Sequence, residues 1–138
     1  MTDDEAMGRF ARARVARLAT VDRDARPHIV PVCFAVVPGT NQVVSVIDDK
    51  PKRRLDVKRL ANVAANPFVE LVVDHYSDDW STLWWVRVAG IGHVIDAGPS
   101  RTSAVDLLAE KYEPYRERRP SGAVLAIDIE RVRHWEAR

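Results

Sequence analysis

What most limits the folds open to this 138-residue chain is a rhythm of short apolar runs cut by turn signals. Ala16–Val21 reads as a strand and ends in the polar turn Asp22-Arg23-Asp24-Ala25-Arg26. Pro27–Val37 follows as its hairpin partner. Pro27 and Pro31 each remove a ladder donor, so this strand suits an edge or bulged position. Pro38-Gly39-Thr40-Asn41 is a turn, and Val43–Ile47 is a third strand. Phe68–Asp74, the long run Leu83–Ile95 and the alternating Val124–Ile129 supply three more, with Val132–Trp135 as a short extension of the last. Leu125, Ile127 and Ile129 share one face of that final strand. Gly90 and Gly92 inside the long strand point to a bend or a close backbone approach.

Helical periodicity interrupts this rhythm in three places. Residues 3–14 carry an apolar stripe of Met7, Phe10, Ala11 and Val15, and Asp3, Asp4 and Glu5 suit a first helical turn. Val57, Leu60, Ala61 and Ala64 recur at i, i+3, i+4 and i+7, which predicts one apolar face on a second helix. Pro51 is placed for the start of that helix, and Asn66-Pro67 forces the chain out of it. A third helix from Pro99 to Tyr112 groups Val105, Leu108 and Ala109. Residues 75–82 and 113–121 read as polar connections. Six strands joined largely by hairpins, with helices between them, predict a mainly β, single-domain fold over residues 1–138. A small closed or partly open barrel with helices on its rim fits this order.

Charge and composition exclude several function classes. A net charge of +1 provides no overall field for nucleic acid or an anionic membrane. No apolar run is long enough for a membrane span, and the start Met-Thr-Asp-Asp-Glu is not that of a signal peptide. The single Cys33 has no internal disulfide partner, so a reducing, cytoplasmic setting is expected. His28, His75, His93 and His134 lack metal-ligand spacing, and no metal site is expected. Gly90-Ile91-Gly92 lies inside a strand and is no dinucleotide fingerprint.

Three segments carry chemistry. In Arg26-Pro27-His28-Ile29-Val30-Pro31-Val32 two prolines stiffen a strand and leave backbone acceptors unpaired, as a protected edge strand or as a partner for the polar rim of a planar heterocycle. Lys50, Lys52, Arg53 and Arg54 gather at a helix start, where the helix dipole favours anions rather than cations. Either a phosphate-like anion completes that site, or the cluster is a solvated basic turn balanced by Asp48 and Asp49. Trp80, Trp84 and Trp85 fall close together beside Arg87, a density that suits a flat conjugated ligand or a subunit interface. Trp84 and Trp85 must point to opposite faces of their strand.

Taken together, these segments resemble the pyridoxamine-phosphate-oxidase-like split-barrel family, and within it the small actinobacterial branch that uses the deazaflavin coenzyme F-420. The resemblance rests on Arg17-Leu18-Ala19-Thr20-Val21, Pro27–Val32, Asp49-Lys50-Pro51-Lys52, Arg59-Leu60-Ala61-Asn62 with Asn66-Pro67, and Asp74-His75-Tyr76 with Asp79-Trp80 and Leu83–Arg87. Lys111-Tyr112 with Tyr115 extends it towards the C-terminus.

The resemblance implies a six-stranded antiparallel split β-barrel, a homodimer with two cofactor sites across its interface, and a small-molecule acceptor. It implies that His28, Val30, Pro31 and Val32 line the cofactor ring. Lys52, with Lys50, Arg53 and Arg54 nearby, would hold the cofactor phosphate, and Ile47 and Asp49 join them as contacts. Trp85 and Arg87 would approach the ring or tail from the partner subunit. The expected cofactor is F-420, with FMN as the alternative in the same fold, and a non-enzymatic carrier of such a group as the rival from another class. The substrate-phosphate residues of true pyridoxamine phosphate oxidases are not found here, so vitamin B6 oxidation is not implied. No dedicated catalytic side chain is required, although His28 or Tyr76 could donate a proton.

Overall fold

The computed structural model describes residues 1–47 and 54–138, with only the backbone of residues 54–57. Its strands are β1 (Ala16–Val21), β2 (Pro27–Val32), β3 (Ala35–Val36), β4 (Gln42–Val46), β5 (Phe68–His75), β6 (Trp84–Ile95) and β7 (Val124–Glu136). Its helices are α1 (Asp3–Arg12), α2 (Arg54–Ala65), α3 (Pro99–Lys111) and α4 (Glu113–Glu117). Every strand pair is antiparallel, in the order β2-β1-β5-β6-β7-β4-β3. The two outermost strands, β2 and β3, are separated in sequence by Cys33 and Phe34 alone. Two residues cannot bridge a flat sheet of this width, so the sheet curls into a split barrel.

The run Pro27–Val37 is therefore two strands rather than one. At the break Phe34 has no ladder partner, and side chains from the end of α3 satisfy its backbone. Phe34 N–H donates to Tyr112 Oη at 3.0 Å. Its carbonyl accepts from Lys111 Nζ at 2.9 Å and from Tyr112 Oη at 3.0 Å. Its ring is fully buried and tilts against Phe10 with centroids 4.8 Å apart. Buried main-chain polar groups must find partners somewhere, and here the far end of a helix supplies them.

Lys111 achieves this at some cost. Besides Phe34 O it donates to Ala11 O at 3.0 Å, at the end of α1, and its ammonium lies 4.0 Å from the Phe34 ring centroid. Burial, reinforced by the Arg14 charge and opposed by Cys33, lowers its pKa from the ordinary 10.5 to about 8. Between those two values the unfolded chain binds more protons at this group, so its contribution to stability rises with pH and is lost as pH falls through about 8. Urea midpoints measured at pH 7.5 and pH 10 should show this rise in the native protein, and Lys111→Met should remove that component. Identical pH slopes in the two proteins would refute it.

Two apolar clusters form the interior. Inside the barrel, Leu18, Leu71, Val73, Val86, Val88, Leu125 and Ile127 meet Phe10 of α1 and Val63 of α2. Outside it, Val44, Val46, Val124 and Ala126 lie beneath Val105 and Leu108 of α3. The first four residues of β7 are consequently buried on both faces, where alternation predicted one. Gly90 sits at an irregularity in the β6–β7 register, where a Cβ would come 2.3 Å from Asp128 O. At Gly92 a Cβ would meet Val63 at 3.1 Å, so the missing side chain lets α2 approach β6.

The expected helices need three corrections. α1 ends at Arg12, leaving Val15 outside it and 39% exposed. The predicted polar connection 113–121 contains α4, where Arg116 donates to the Ala109 and Glu110 carbonyls left open by α3. Among the described side chains of α2 the buried ones are Arg59, Asn62 and Val63, whereas Ala61 and Ala64 are exposed and the Val57 side chain lies outside the description. Helical period identified the element correctly, but two of the three side chains described as buried, Arg59 and Asn62, are polar.

Candidate functional site

β2 occupies one outer position of the sheet and, among the described residues, pairs only with β1. Pro27 opposes Val21, Ile29 opposes Ala19 and Pro31 opposes Arg17. Proline cannot donate, so these three pairs suit the positions without ladder hydrogen bonds. That phase turns the carbonyls of Pro27, Ile29 and Pro31, together with the Ile29 N–H, towards the open side. The alternate residues, His28, Val30 and Val32, face the barrel. Val32 is 6% exposed and Ile47 5%, so both side chains belong to the interior.

The inward polar face of α2 docks against this hairpin. Asn62 Nδ2 donates to Thr20 Oγ1 at 3.1 Å, with both side chains buried. Thr20 in turn lies directly opposite His28. His28 Nδ1 is buried and has no hydrogen-bond partner among the described residues. A second contact joins helix and hairpin turn, Lys58 Nζ lying 4.0 Å from Asp22 Oδ2. The turn is itself held by Asp22, whose carboxylate accepts from the Arg26 and Asp24 amides and from Arg26 Nε. The Arg26 backbone bond is the main cause that holds the Asp22 pKa below its ordinary value. Thus the proline-marked strand and the helix that follows the basic segment are joined at one end of the barrel.

Asp49, Lys50, Lys52 and Arg53 lie outside the described residues, as does the side chain of Arg54. The expected contacts through them are neither placed nor displaced by the structure.

Trp85 and Arg87 share the outer face of β6, with the Arg87 guanidinium 5.5 Å from the Trp85 ring centroid. Arg87 Nε also lies 3.4 Å from Glu70 on β5. Trp84 points inward, partly buried against the barrel core, with Arg9 5.2 Å from its ring and His75 stacked at 6.4 Å. The outer face continues through exposed Ile29, Phe68 and Trp135. Beyond it the β5–β6 connection exposes Tyr76 and Trp80, held in place by Asp79. The Asp79 carboxylate accepts from Ser81 N and Oγ, and those bonds lower its pKa.

Trp85 lies far along the sheet from the Val46 end of β4. Ile95, at the far end of β6, pairs with Val124, which pairs with Val46, just before the basic segment. Trp85 is about ten residues back along β6, or about 33 Å at 3.3 Å per residue.

Sequence reasoning quoted Thr20, Arg59 and Asn62 only as carriers of the resemblance and gave neither them nor Trp135 a place in the site. Arg59, Asn62 and Asn66 form their own i, i+3, i+7 series, which was a usable signal. Trp135 lies directly opposite Trp85 only through strand register, for which the sequence held no signal. Among the described residues no group of three or more His, Cys, Asp or Glu could hold a metal, and no helix is long and apolar enough to cross a membrane.

Residues 2–136 match the family model for pyridoxamine 5'-phosphate oxidase. No curated protein matches the chain. Among solved structures, the chain is similar to a conserved hypothetical protein from Mycobacterium tuberculosis, with a TM-score of 0.77 at 19% identity over 99% of this chain and 85% of that one. It is similar to HutZ, the heme storage protein from Vibrio cholerae, with a TM-score of 0.72 at 13% identity over 99% and 95% of the two chains. It is also similar to an FAD-binding protein from Mesorhizobium loti, with a TM-score of 0.66 at 21% identity over 97% and 94%. At these identities the likeness speaks for the fold.

Proposed function

Because this chain belongs to the pyridoxamine 5'-phosphate oxidase family and folds as a split β-barrel, we propose that it is a homodimeric oxidoreductase that binds the deazaflavin coenzyme F-420 and passes hydride to a small organic acceptor. The observation that carries the reading is the unpaired side of β2, marked by Pro27 and Pro31, with the buried, unpartnered His28 Nδ1 beside it. Carbonyls, one amide N–H and an imidazole suit the polar rim of a flat heterocycle. These groups fit a flavin or deazaflavin ring, and the order of the sequence segments favours F-420.

The bound coenzyme supplies the hydride chemistry. The chain's own part is to anchor, orient and exclude water. Lys50, Lys52, Arg53 and Arg54 hold the phosphate. Trp85 and Arg87 of the other copy present a flat, cationic surface to the ring or tail. Dimer formation through the outer sheet face would cover Ile29, Phe68 and Trp135, whose exposure is otherwise costly. The Tyr76 hydroxyl already donates to Asp78 Oδ1 at 2.9 Å, which leaves His28 as the better candidate to deliver a proton.

Titration of the purified protein with F-420 and separately with FMN, followed by tryptophan fluorescence, tests the reading. F-420 should quench at micromolar concentration, and oxidation of the bound reduced coenzyme by quinones, enones or nitroaromatics should accelerate. Quenching by FMN alone would reassign the cofactor, and quenching by neither would end the proposal. The likeness to a heme storage protein favours one second reading, a carrier of a flat prosthetic group without turnover. A Soret band on adding hemin, with no F-420 or FMN binding, would select it.

A further inference from the structure

The outer sheet face carries a groove of about 500 Å³ lined by Arg17, Asp74, His75, Trp85 and Trp135 among others. Strand register explains how these residues meet. Trp135 of β7 lies directly opposite Trp85 of β6, and Trp85 lies directly opposite Asp74 of β5. Arg17 of β1 lies opposite Val72, two residues along β5 from Asp74 and on the same face. One row of side chains thus crosses four neighbouring strands, about 14 Å from first to last at the usual strand spacing. That is enough to receive a fused-ring system lying flat.

The charges in this row are unlike their neighbours. Arg87 and Glu70, also on this face, pair at 3.4 Å. Arg17 and Asp74 are both exposed, and neither side chain makes an ion pair or hydrogen bond among the described residues. Their opposite charges sit diagonally across adjacent strands beside two indoles. A guanidinium donates and a carboxylate accepts, so the complement of this pair is a carbonyl next to an N–H on one rim of a planar ring.

We propose that the Arg17–Asp74 row reads the imide rim of a conjugated tricyclic ring, Arg17 donating to a ring carbonyl and Asp74 accepting from the adjacent ring N–H, with the ring lying along Trp85 and Trp135. The ring is that of the cofactor whose phosphate the other copy holds, and in this respect the inference rests on the function proposed above. It assigns specificity to residues that the basic segment and β2 do not include.

Lumiflavin is the probe, because it carries the ring and its imide rim but no phosphate, and N3-methyl-lumiflavin removes its one ring N–H. Tryptophan quenching should show the native dimer preferring lumiflavin to the methylated ring by at least about tenfold, the scale of one hydrogen bond to a charged group. Asp74→Ala should abolish that preference, and Arg17→Ala should weaken both ligands. Both positions are exposed, and unchanged thermal melting would confirm that the variants fold. Equal binding of the two rings by the native protein, or an undiminished preference in Asp74→Ala, would overturn the inference. Selective lumiflavin binding with no gain in affinity for FMN or F-420 would instead uphold this row and overturn the phosphate-anchored cofactor reading.

Discussion

Phe34→Ala should lower the unfolding free energy by about 3–5 kcal/mol, the range for emptying a buried aromatic site. The ring is fully buried, packs on Phe10 and carries the Lys111 ammonium on its face. Its neighbours come from α1, from the strand break and from the end of α3, three parts that cannot collapse together into one cavity. The main-chain bonds from Tyr112 and Lys111 to residue 34 do not need the ring, so the loss would report packing rather than hydrogen bonding. Urea unfolding of the two proteins at one pH measures it. A loss below about 1 kcal/mol would mean that the link between β2 and β3 closes without this ring.

Lys52→Ala should weaken F-420 or FMN binding by at least about 1.5 kcal/mol, the lower end for a hydrogen bond to a charged group, with little change in thermal melting. Three neighbouring cations would still attract the phosphate, so the variant should keep measurable affinity and show a shallower dependence on salt. Isothermal titration at two ionic strengths separates the direct contact from the general field. Unchanged affinity at both would return the cluster to a solvated basic turn.

The sequence was most informative where local chemistry and tertiary demand agree. Pro27 and Pro31 require a strand that does not need their donors, and β2 is an outer strand. Gly90 and Gly92 announced close approach, and the structure brings Asp128 O to one and Val63 to the other. Misplaced cations before α2 marked a candidate anion site by residue type alone. Legibility failed where burial depends on what comes to lie opposite. The apolar series Val57, Leu60, Ala61, Ala64 has the right period, yet α2 turns Asn62 inward because the buried Thr20 hydroxyl is there to receive it. Alternation in Val124–Ile129 predicts one buried face, but α3 covers the second.

Residue order alone therefore determined the number and kind of most elements, the outer position of β2 and the chemistry of the candidate groups. Each of these follows from steric and hydrogen-bonding rules acting over a few residues. The break at Cys33-Phe34, the polar docking face of α2 and the row from Arg17 to Trp135 were decided by the curled sheet. Register and curvature bring together residues more than a hundred positions apart, and whether a side chain is buried, paired or left facing a groove depends on that meeting.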